Sequence, residues 1–248
     1  MSLGQKKPST NKNSSRRTLH KRLGFTAAES YKLLRTNMLF SLPGSKKCRV
    51  VGVTSSTRSE GKSTTSINLA YTLAESGKKV LLIDADMRLP SIAKKMGLKG
   101  SPGLSNILAG LGGTQIPIYK TGVLDNWFWI PAGDIPPNPS ELIGSQYMQD
   151  FLDTLSESFD FILLDLPPIV PISDALAVSP YLDGILVVVR EDYTIKRDLS
   201  YTIRQLKMSK AKILGFVISY AKEDKKSYGT YQKYARTRYY RKLQEHNI

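Results

Sequence analysis

Short apolar runs alternate with longer amphipathic stretches along most of the chain. Runs rich in Val, Ile, Leu and Phe are typical of buried strands, whereas apolar residues spaced three to four apart predict helices. The predicted strands are residues 50–53, 78–88, 127–130, 159–165, 184–189 and 213–220. The predicted helices are residues 26–42, 64–75, 104–108, 140–144, 146–157 and 195–208, with another that opens at Asp174. This alternation predicts a mostly parallel, doubly wound α/β sheet flanked by helices, with right-handed crossovers.

Length and composition suit one domain with an extension at each end. A chain of 248 residues matches the size of a single α/β domain, and its 41% hydrophobic content is enough for a core. Residues 1–24 are polar and basic, and we expect them to form a disordered tail. The folded domain is predicted to span residues 25–220, followed by a basic, tyrosine-rich tail over residues 221–248.

The stretch from the first predicted strand to the next helix carries the strongest motif. Residues 50–53 lead into a loop of small residues and then into Gly61-Lys62-Ser63. Backbone N–H groups of such a loop, with the positive end of the helix dipole, surround a phosphate. Lys62 would bridge the β- and γ-phosphates of ATP, and the Ser63 hydroxyl would bind Mg²⁺. The residues predicted to bind ATP are Ser59, Glu60, Gly61, Lys62, Ser63 and Thr64.

This P-loop motif is incomplete, so its context decides its interpretation. The usual pattern has glycine five residues before Gly61, where this chain has Ser56. An ordinary strand-to-helix turn is the alternative for the motif alone. Two later strands that end in aspartate favour nucleotide binding and, with it, a P-loop NTPase domain.

Aspartates end two of the buried strands. Asp84 and Asp86 follow one strand and Asp165 ends another. Because the carboxyl ends of parallel strands meet at one edge, where ligands bind, we expect the three side chains to lie together. Asp84 or Asp86 could organise Mg²⁺ and accept a proton, although both could instead cap the next helix. Asp165 would hold Mg²⁺ through water, as a Walker B residue does. The predicted catalytic residues are Lys62, Asp84, Asp86 and Asp165, and the predicted metal ligands are Ser63, Asp84 and Asp165.

A helix is predicted before the first strand. Thr26 can cap it, with Glu29 in the capping-box position. Glu29, Lys32 and Arg35 follow at intervals of three, close to one face, so they could pair with a neighbouring subunit. The alternative is a charged stripe that faces solvent.

The net charge of +15 lies mostly in the tails. Seven Lys/Arg and no acid fall in residues 1–24, and eight Lys/Arg against three acids fall in residues 220–248. Basic tails can contact nucleic acid, an anionic membrane face or an acidic partner, or remain solvated. No apolar run is long enough for a membrane span and no signal peptide follows the basic start, so we expect a cytoplasmic protein.

Cysteine and histidine usage excludes some kinds of site. The single cysteine, Cys48, excludes an internal disulfide and a cysteine-rich metal site, and we expect a buried thiol beside the first strand. His20 and His246 lie in the polar tails, where neither is placed as a metal ligand or catalytic base.

Tyrosines cluster near the C-terminus among Lys and Arg residues. Five of the chain's thirteen tyrosines lie within residues 228–240. The segment has few aliphatic residues, which favours a mobile tail over a helical stripe packed on the domain. Stacking on nucleic acid bases is a further alternative. The clustered residues are Tyr228, Tyr231, Tyr234, Tyr239 and Tyr240.

Together, residues 55–65, 80–88 and 161–168 and the tyrosine cluster resemble the bacterial tyrosine kinases (BY-kinases). The chain is most similar to the stand-alone cytoplasmic kinases of capsule and exopolysaccharide systems. The resemblance implies that Lys62 and Ser63 belong to Walker A, Asp84 and Asp86 to Walker A′, and Asp165 to Walker B. It also implies that the tail tyrosines are autophosphorylated with ATP and Mg²⁺.

The resemblance implies assembly and partners as well. Kinases of this family phosphorylate neighbours in a ring that forms through a Glu-x-x-Arg-x-x-Arg helix, represented here by Glu29, Lys32 and Arg35. Lys32 lacks the planar fork of the arginine in the family pattern. The implied partners are a transmembrane activator or chain-length protein and a cognate tyrosine phosphatase, with no specific nucleic acid. The kinase would be recruited peripherally to the inner face of the cell membrane.

The mechanism expected from this resemblance is transfer of a phosphoryl group to a tail tyrosine of the adjacent subunit. Asp84 or Asp86 would orient and deprotonate that tyrosine, whose pKa is normally about 10. A ParA/MinD-type ATPase switch is the first alternative, but such proteins have a lysine at the position of Thr57. A nucleic-acid-binding module that uses the basic tails is the second.

Overall fold

The structure is a computed structural model that describes residues 23–42, 44–111 and 116–222. Nearly all of the two predicted tails lies outside these residues, as do all five clustered tyrosines and both histidines. The predicted domain boundaries and tail disorder therefore stay predictions.

In the described residues, seven strands form one sheet in the order β3-β4-β2-β5-β1-β6-β7. All neighbouring pairs are parallel except β3 with β4. Helical segments connect the parallel strands, and the sheet extends in both directions from β1 and β2. The prediction of a mostly parallel, doubly wound α/β sheet is therefore confirmed. The strands are β1 (Arg49–Ser55), β2 (Val80–Asp84), β3 (Tyr119–Lys120), β4 (Trp127–Ile130), β5 (Phe161–Asp165), β6 (Gly184–Arg190) and β7 (Ile213–Ser219).

Helices cover both faces of the sheet, so successive residues of a central strand enter two different cores. In β2, Leu81 and Ile83 join one core while Leu82 joins the other. This burial on both faces explains why the central strands are continuous apolar runs and not alternating ones. The helices are α1 (Phe25–Ser41), α2 (Lys62–Glu75), α3 (Ile92–Met96), α4 (Leu104–Leu108), α5 (Pro139–Ile143), α6 (Gln146–Ser156), α7 (Asp174–Val178) and α8 (Lys196–Met208), with a 3₁₀ turn at Ser179–Tyr181.

One local prediction is wrong, and two short elements were not predicted. Helix α1 begins at Phe25 with Gly24 as its N-cap, so the predicted cap at Thr26 is wrong; the carbonyl of Gly24 already accepts a bond from Ala28 N–H at 3.1 Å. Strand β3 and helix α3 were not predicted. Strand β3 has two residues, which are too few to show a periodicity.

The register of the sheet brings the predicted catalytic residues to one edge. Asp84 pairs with Asp165 across β2 and β5, and Val53 of β1 pairs with Asp165 on its other side. Because β1 runs two residues further to Ser55, the P-loop starts directly above the two aspartates. Cys48 is 7% exposed just before β1, as predicted.

Candidate nucleotide-binding and catalytic site

The P-loop leaves β1 and enters α2 through Gly61, which has φ +92°. A side chain here would be strained, and its Cβ would lie 3.3 Å from Cβ of Ser219. The first bond of the helix runs from Thr65 N–H to the Gly61 carbonyl at 2.9 Å, and no side chain caps this end of α2. The earlier N–H groups of the helix are therefore available to an anion such as a phosphate.

Lys62 lies between two of the predicted catalytic aspartates. Its Nζ atom is 3.0 Å from Oδ2 of Asp86 and 3.4 Å from Oδ2 of Asp165. Burial disfavours the charged ammonium, but Asp165 and Asp86 outweigh that effect, so the pKa of Lys62 is raised. Lys62 is thus a buried cation beside the phosphate loop, held by two carboxylates.

Asp84, the last residue of β2, is fully buried. Its Oδ2 accepts bonds from the N–H groups of Ser91 (3.2 Å) and Ile92 (3.0 Å) at the start of α3. Its Oδ1 is buried and has no hydrogen-bond partner within the described part of the chain. Burial and the nearby negative charge of Asp165 raise the pKa of Asp84 to about 7, although Lys62 acts in the opposite direction.

Asp165 completes the acidic cluster at the end of β5. It accepts a bond from Ser66 Oγ at 3.0 Å, one turn along α2 from Lys62. Burial raises the pKa of Asp165, and Lys62 and the hydroxyls of Ser63 and Ser66 offset part of that rise. The Ser63 hydroxyl also accepts a bond from Ser91 Oγ at 2.8 Å.

The alternative that the two aspartates after β2 cap a helix is partly right. One oxygen of Asp84 binds the start of α3, and one oxygen of Asp86 accepts a bond from Leu89 N–H at 3.0 Å. The second oxygen of Asp86 contacts Lys62, and the second oxygen of Asp84 is unpartnered in the described residues. Each carboxylate therefore fixes the loop with one oxygen and offers the other to the site.

Arg88 anchors the loop that follows β2 to the start of α7. Its guanidinium binds both carboxylate oxygens of Asp174, at 2.9 and 3.2 Å, and Ser140 Oγ at 3.0 Å. Asp174 opens α7 and is 1% exposed. In the sequence Asp84-Ala85-Asp86-Met87-Arg88, two site carboxylates are thus followed by an arginine that anchors their loop.

The predicted oligomerisation residues lie on α1, away from the acidic cluster. Lys32 binds Glu29 at 2.7 Å along the same helix, and Arg35 donates to the Thr72 carbonyl of α2 at 2.7 Å. These contacts within one chain neither require nor prevent contact with a second copy, so the ring stays a prediction.

A cavity of about 500 Å³ opens at the P-loop, within the usual size range of small-molecule sites. Asp86 lines it, whereas Asp84 and Asp165 lie beneath. Sequence analysis did not assign eight of the lining residues to the site. Two of them come from the far side of the sheet: Arg190 donates to the Ser59 carbonyl at 3.0 Å, and the ring of Tyr220 lies 4.2 Å from the Arg190 guanidinium. The lining includes Arg58, Ser59, Gly61, Lys62, Ser63, Thr64, Asp86, Leu89, Ser91, Lys95, Pro168, Ile172, Arg190 and Tyr220.

The residues present fit Mg²⁺ only together with a nucleotide. Within residues 23–42, 44–111 and 116–222, no group of three His, Cys, Asp or Glu side chains is arranged to hold a metal alone. Mg²⁺ usually binds one or two carboxylates together with substrate phosphates and waters. The Ser63 hydroxyl and the unpartnered Asp84 oxygen are suitable donors for such a site.

Comparison with known proteins identifies the family. Residues 49–215 match the family described as an AAA domain. The chain is 34% identical over 207 residues to the tyrosine-protein kinase YwqD of Bacillus subtilis (strain 168), covering 82% of this chain and 86% of that protein. The chain belongs to the bacterial tyrosine kinase family. The predictions of the fold class, the family and the tyrosine-kinase enzyme class are confirmed.

Solved structures agree with this assignment. The kinase domain of the Escherichia coli tyrosine kinase ETK matches with a TM-score of 0.76 and 27% identity, covering 87% of this kinase and 84% of that chain. The Pyrococcus furiosus cell division ATPase MinD matches with a TM-score of 0.59 and 27% identity, covering 71% of this kinase and 74% of that chain. The fold is thus shared with an ATPase, while the TM-score is higher for the tyrosine kinase domain.

None of the helices described for this kinase combines the length and the apolar character needed to cross a membrane.

Proposed function

We propose that the chain is an ATP-dependent protein-tyrosine autokinase that phosphorylates the tyrosine cluster of a neighbouring copy. One observation carries this proposal: Lys62, at the start of the P-loop helix, lies between Asp86 and Asp165 at 3.0 and 3.4 Å. A buried cation beside a phosphate loop, flanked by carboxylates, suits phosphoryl transfer, in which charge must be stabilised and an acceptor hydroxyl oriented.

Each residue of the site would have a role that follows from its position. The N–H groups from residue 59 to residue 64 would bind the phosphates of ATP, and Lys62 would exchange its aspartates for the β- and γ-phosphates. Asp86 lines the cavity, which supports it as the carboxylate that would orient and deprotonate a tyrosine hydroxyl. Ser63, Asp84 and Asp165 would hold Mg²⁺, which when bound supplies positive charge for the transferred phosphoryl group.

The acceptors are the five tail tyrosines, Tyr228, Tyr231, Tyr234, Tyr239 and Tyr240. Two observations support transfer to a tail: the family membership, and the position of Tyr220, which lines the cavity just before the tail begins. Each phosphate adds about −1.5 to −2 charges to a segment rich in Lys and Arg. Phosphorylation would therefore reduce the positive charge of the tail, loosen the ring and change partner binding.

The cellular setting belongs to the same proposal. Glu29, Lys32 and Arg35 would contribute to a ring of copies. A transmembrane activator would recruit the kinase to the inner face of the membrane, and a cognate phosphatase would reverse the modification. The process controlled would be capsule or exopolysaccharide synthesis, as the resemblance to the stand-alone kinases implies.

Mass spectrometry of purified protein incubated with Mg·ATP tests the activity. We expect phosphate on residues 228–240 in the wild type and in the control Lys99→Met, an exposed lysine outside the cavity. Lys62→Met should gain none. Phosphotyrosine on pure Lys62→Met would overturn the proposal. A wild type that binds and hydrolyses ATP but gains no phosphotyrosine would also overturn it, and that result would favour an ATPase switch.

Mixing two variants tests transfer between copies. An active variant with all five tail tyrosines changed to Phe should phosphorylate the intact tail of Lys62→Met. An unmodified Lys62→Met tail in this mixture, while wild type alone modifies itself, would contradict transfer between copies.

A further inference from the structure

The side chain of Glu60 has no role in the site as described above, yet it is among the most buried groups of the P-loop. Glu60 is 1% exposed. Its Oε2 accepts bonds from the N–H groups of Ser56 (2.8 Å) and Thr57 (3.1 Å). Its Oε1 accepts bonds from the hydroxyls of Thr57 (3.1 Å) and Thr194 (2.6 Å).

These contacts explain how a carboxylate is buried next to a phosphate site. An ionised carboxylate is costly to bury unless donors surround it. Four donors meet the two oxygens of Glu60, and bonds to a charged acceptor are stronger than bonds between neutral groups. The side chain therefore acts as an internal anion that binds the first half of its own loop.

The backbone of the loop depends on this contact. Ser59 has φ +63° and Gly61 has φ +92°, so the backbone adopts a left-handed conformation on both sides of Glu60. Position 56, where the usual motif has glycine, is occupied by Ser56. Because the carboxylate takes the N–H groups of Ser56 and Thr57, it fixes the segment that lacks the glycine and leaves the later N–H groups for a ligand.

Glu60 also connects the P-loop to two distant parts of the chain. Thr194 follows β6, and its hydroxyl both donates to Glu60 and accepts a bond from Arg190 N–H at 2.8 Å. Ser219, at the end of β7, donates to the backbone carbonyl of Glu60 at 2.6 Å. Arg190 reaches the Ser59 carbonyl from the same side. The loop is thus held against the ends of β6 and β7.

We propose that Glu60 is a positioning residue for the nucleotide: its carboxylate, held by the Thr194 hydroxyl, keeps the P-loop in its phosphate-binding shape. This inference rests on the proposed nucleotide site. The Glu60 side chain acts through the backbone N–H groups of Ser56 and Thr57 and does not itself contact the phosphates. Thr57, whose position is occupied by lysine in ParA/MinD-type ATPases, donates a hydrogen bond from its hydroxyl to Glu60.

Variants at Thr194 test the inference with little disturbance of the core. Thr194→Val keeps the shape but removes the bond to Glu60 together with the bond from Arg190 N–H, and we expect the Kd for Mg·ADP to rise about 5- to 10-fold. Thr194→Ser keeps the hydroxyl and should restore wild-type affinity. Glu60→Ala leaves the N–H groups of Ser56 and Thr57 without their acceptor and should raise Kd by about 100-fold.

Thr202→Val is the matched control. Thr202 is a fully buried threonine on α8, and its hydroxyl has no partner among the described residues. Calorimetric titration with Mg·ADP should give the wild-type Kd for this control. In kinase assays, Thr194→Val should raise the KM for ATP in proportion to Kd while kcat stays within about twofold, because the lost contact affects binding of the nucleotide.

The outcomes separate this inference from the proposed function. If wild type fails to bind Mg·ADP, the nucleotide site itself is wrong. If wild type binds but Thr194→Val and Glu60→Ala bind equally well, the positioning role of Glu60 is refuted. A lower melting temperature of Thr194→Val with unchanged Kd and KM would also refute it, since Thr194 would then serve stability alone.

Discussion

Replacing Asp84 with asparagine should stabilise the metal-free protein at pH 8 and reduce the pH dependence of its stability. Asp84 is fully buried, and its pKa rises from the ordinary 3.8 to about 7. A carboxyl group with a raised pKa binds its proton more tightly in the folded state. Its contribution to stability is complete below pH 3.8 and is lost as the pH rises through about 7.

The size of the effect follows from this shift. Proton linkage predicts that the wild type loses about 1 kcal/mol of unfolding free energy between pH 6 and pH 8 through this group. The rise of the Asp84 pKa from 3.8 to about 7 corresponds to about 4 kcal/mol, which is an upper bound for the free-energy cost of the buried charge. Asparagine removes that charge, and its carbonyl oxygen can still accept the bonds from Ser91 and Ile92.

Urea unfolding at pH 6, 7 and 8, in EDTA and without nucleotide, measures the effect. The range from pH 6 to pH 8 suits this measurement because histidine is the side chain that ordinarily titrates there, and the chain has only two, His20 and His246. Asp125→Asn, at a fully exposed aspartate, is the control and should leave the wild-type pH dependence unchanged. If Asp84→Asn has the wild-type slope between pH 6 and 8, or is less stable than wild type at pH 8, the reasoning is refuted.

Two further predictions concern the loops on either side of the acidic cluster. Arg88→Lys loses the two-pronged contact with Asp174 and should destabilise the fold by about 1 kcal/mol and lower kcat, as measured by thermal unfolding and kinase assay; wild-type kcat would contradict a role for Arg88 in holding the Asp86 loop. Gly61→Ala should cost about 1–3 kcal/mol of stability and weaken Mg·ADP binding, because its φ of +92° disfavours a side chain. Unchanged Mg·ADP affinity in Gly61→Ala would show that this backbone conformation is not required.

Much of the architecture could be predicted because the sheet is buried on both faces. The runs 80–83 and 161–164 are apolar throughout, and the aspartate that follows each run, Asp84 or Asp165, ends the pattern abruptly. Parallel pairing then brings Asp84 and Asp165 to one edge without further information. The short elements β3 and α3 left no such signal.

The contacts that fix the site could not be predicted, because they join residues far apart in the sequence. Thr194 reaches Glu60 across 134 positions, and Arg190 reaches Ser59 across 131. Nothing local distinguishes Thr194 from other threonines that precede a helix. Ser66 is an exception: it follows Lys62 by one helical turn, so a contact near the Walker B aspartate could have been expected from spacing alone.

The charges of the site indicate why nucleotide and divalent cation belong together. Lys62 is already engaged by Asp86 and Asp165, so turning toward a phosphate would leave two buried carboxylates without their cation. A divalent cation, or a proton at Asp165, would then compensate the negative charge of the site. Burial raises the pKa of Asp84 and Asp165, so protons compete with the divalent cation for these carboxylates at lower pH. In the proposed mechanism, the buried carboxylates that would hold the metal would therefore also couple nucleotide binding to pH, through the same exchange of partners at Lys62.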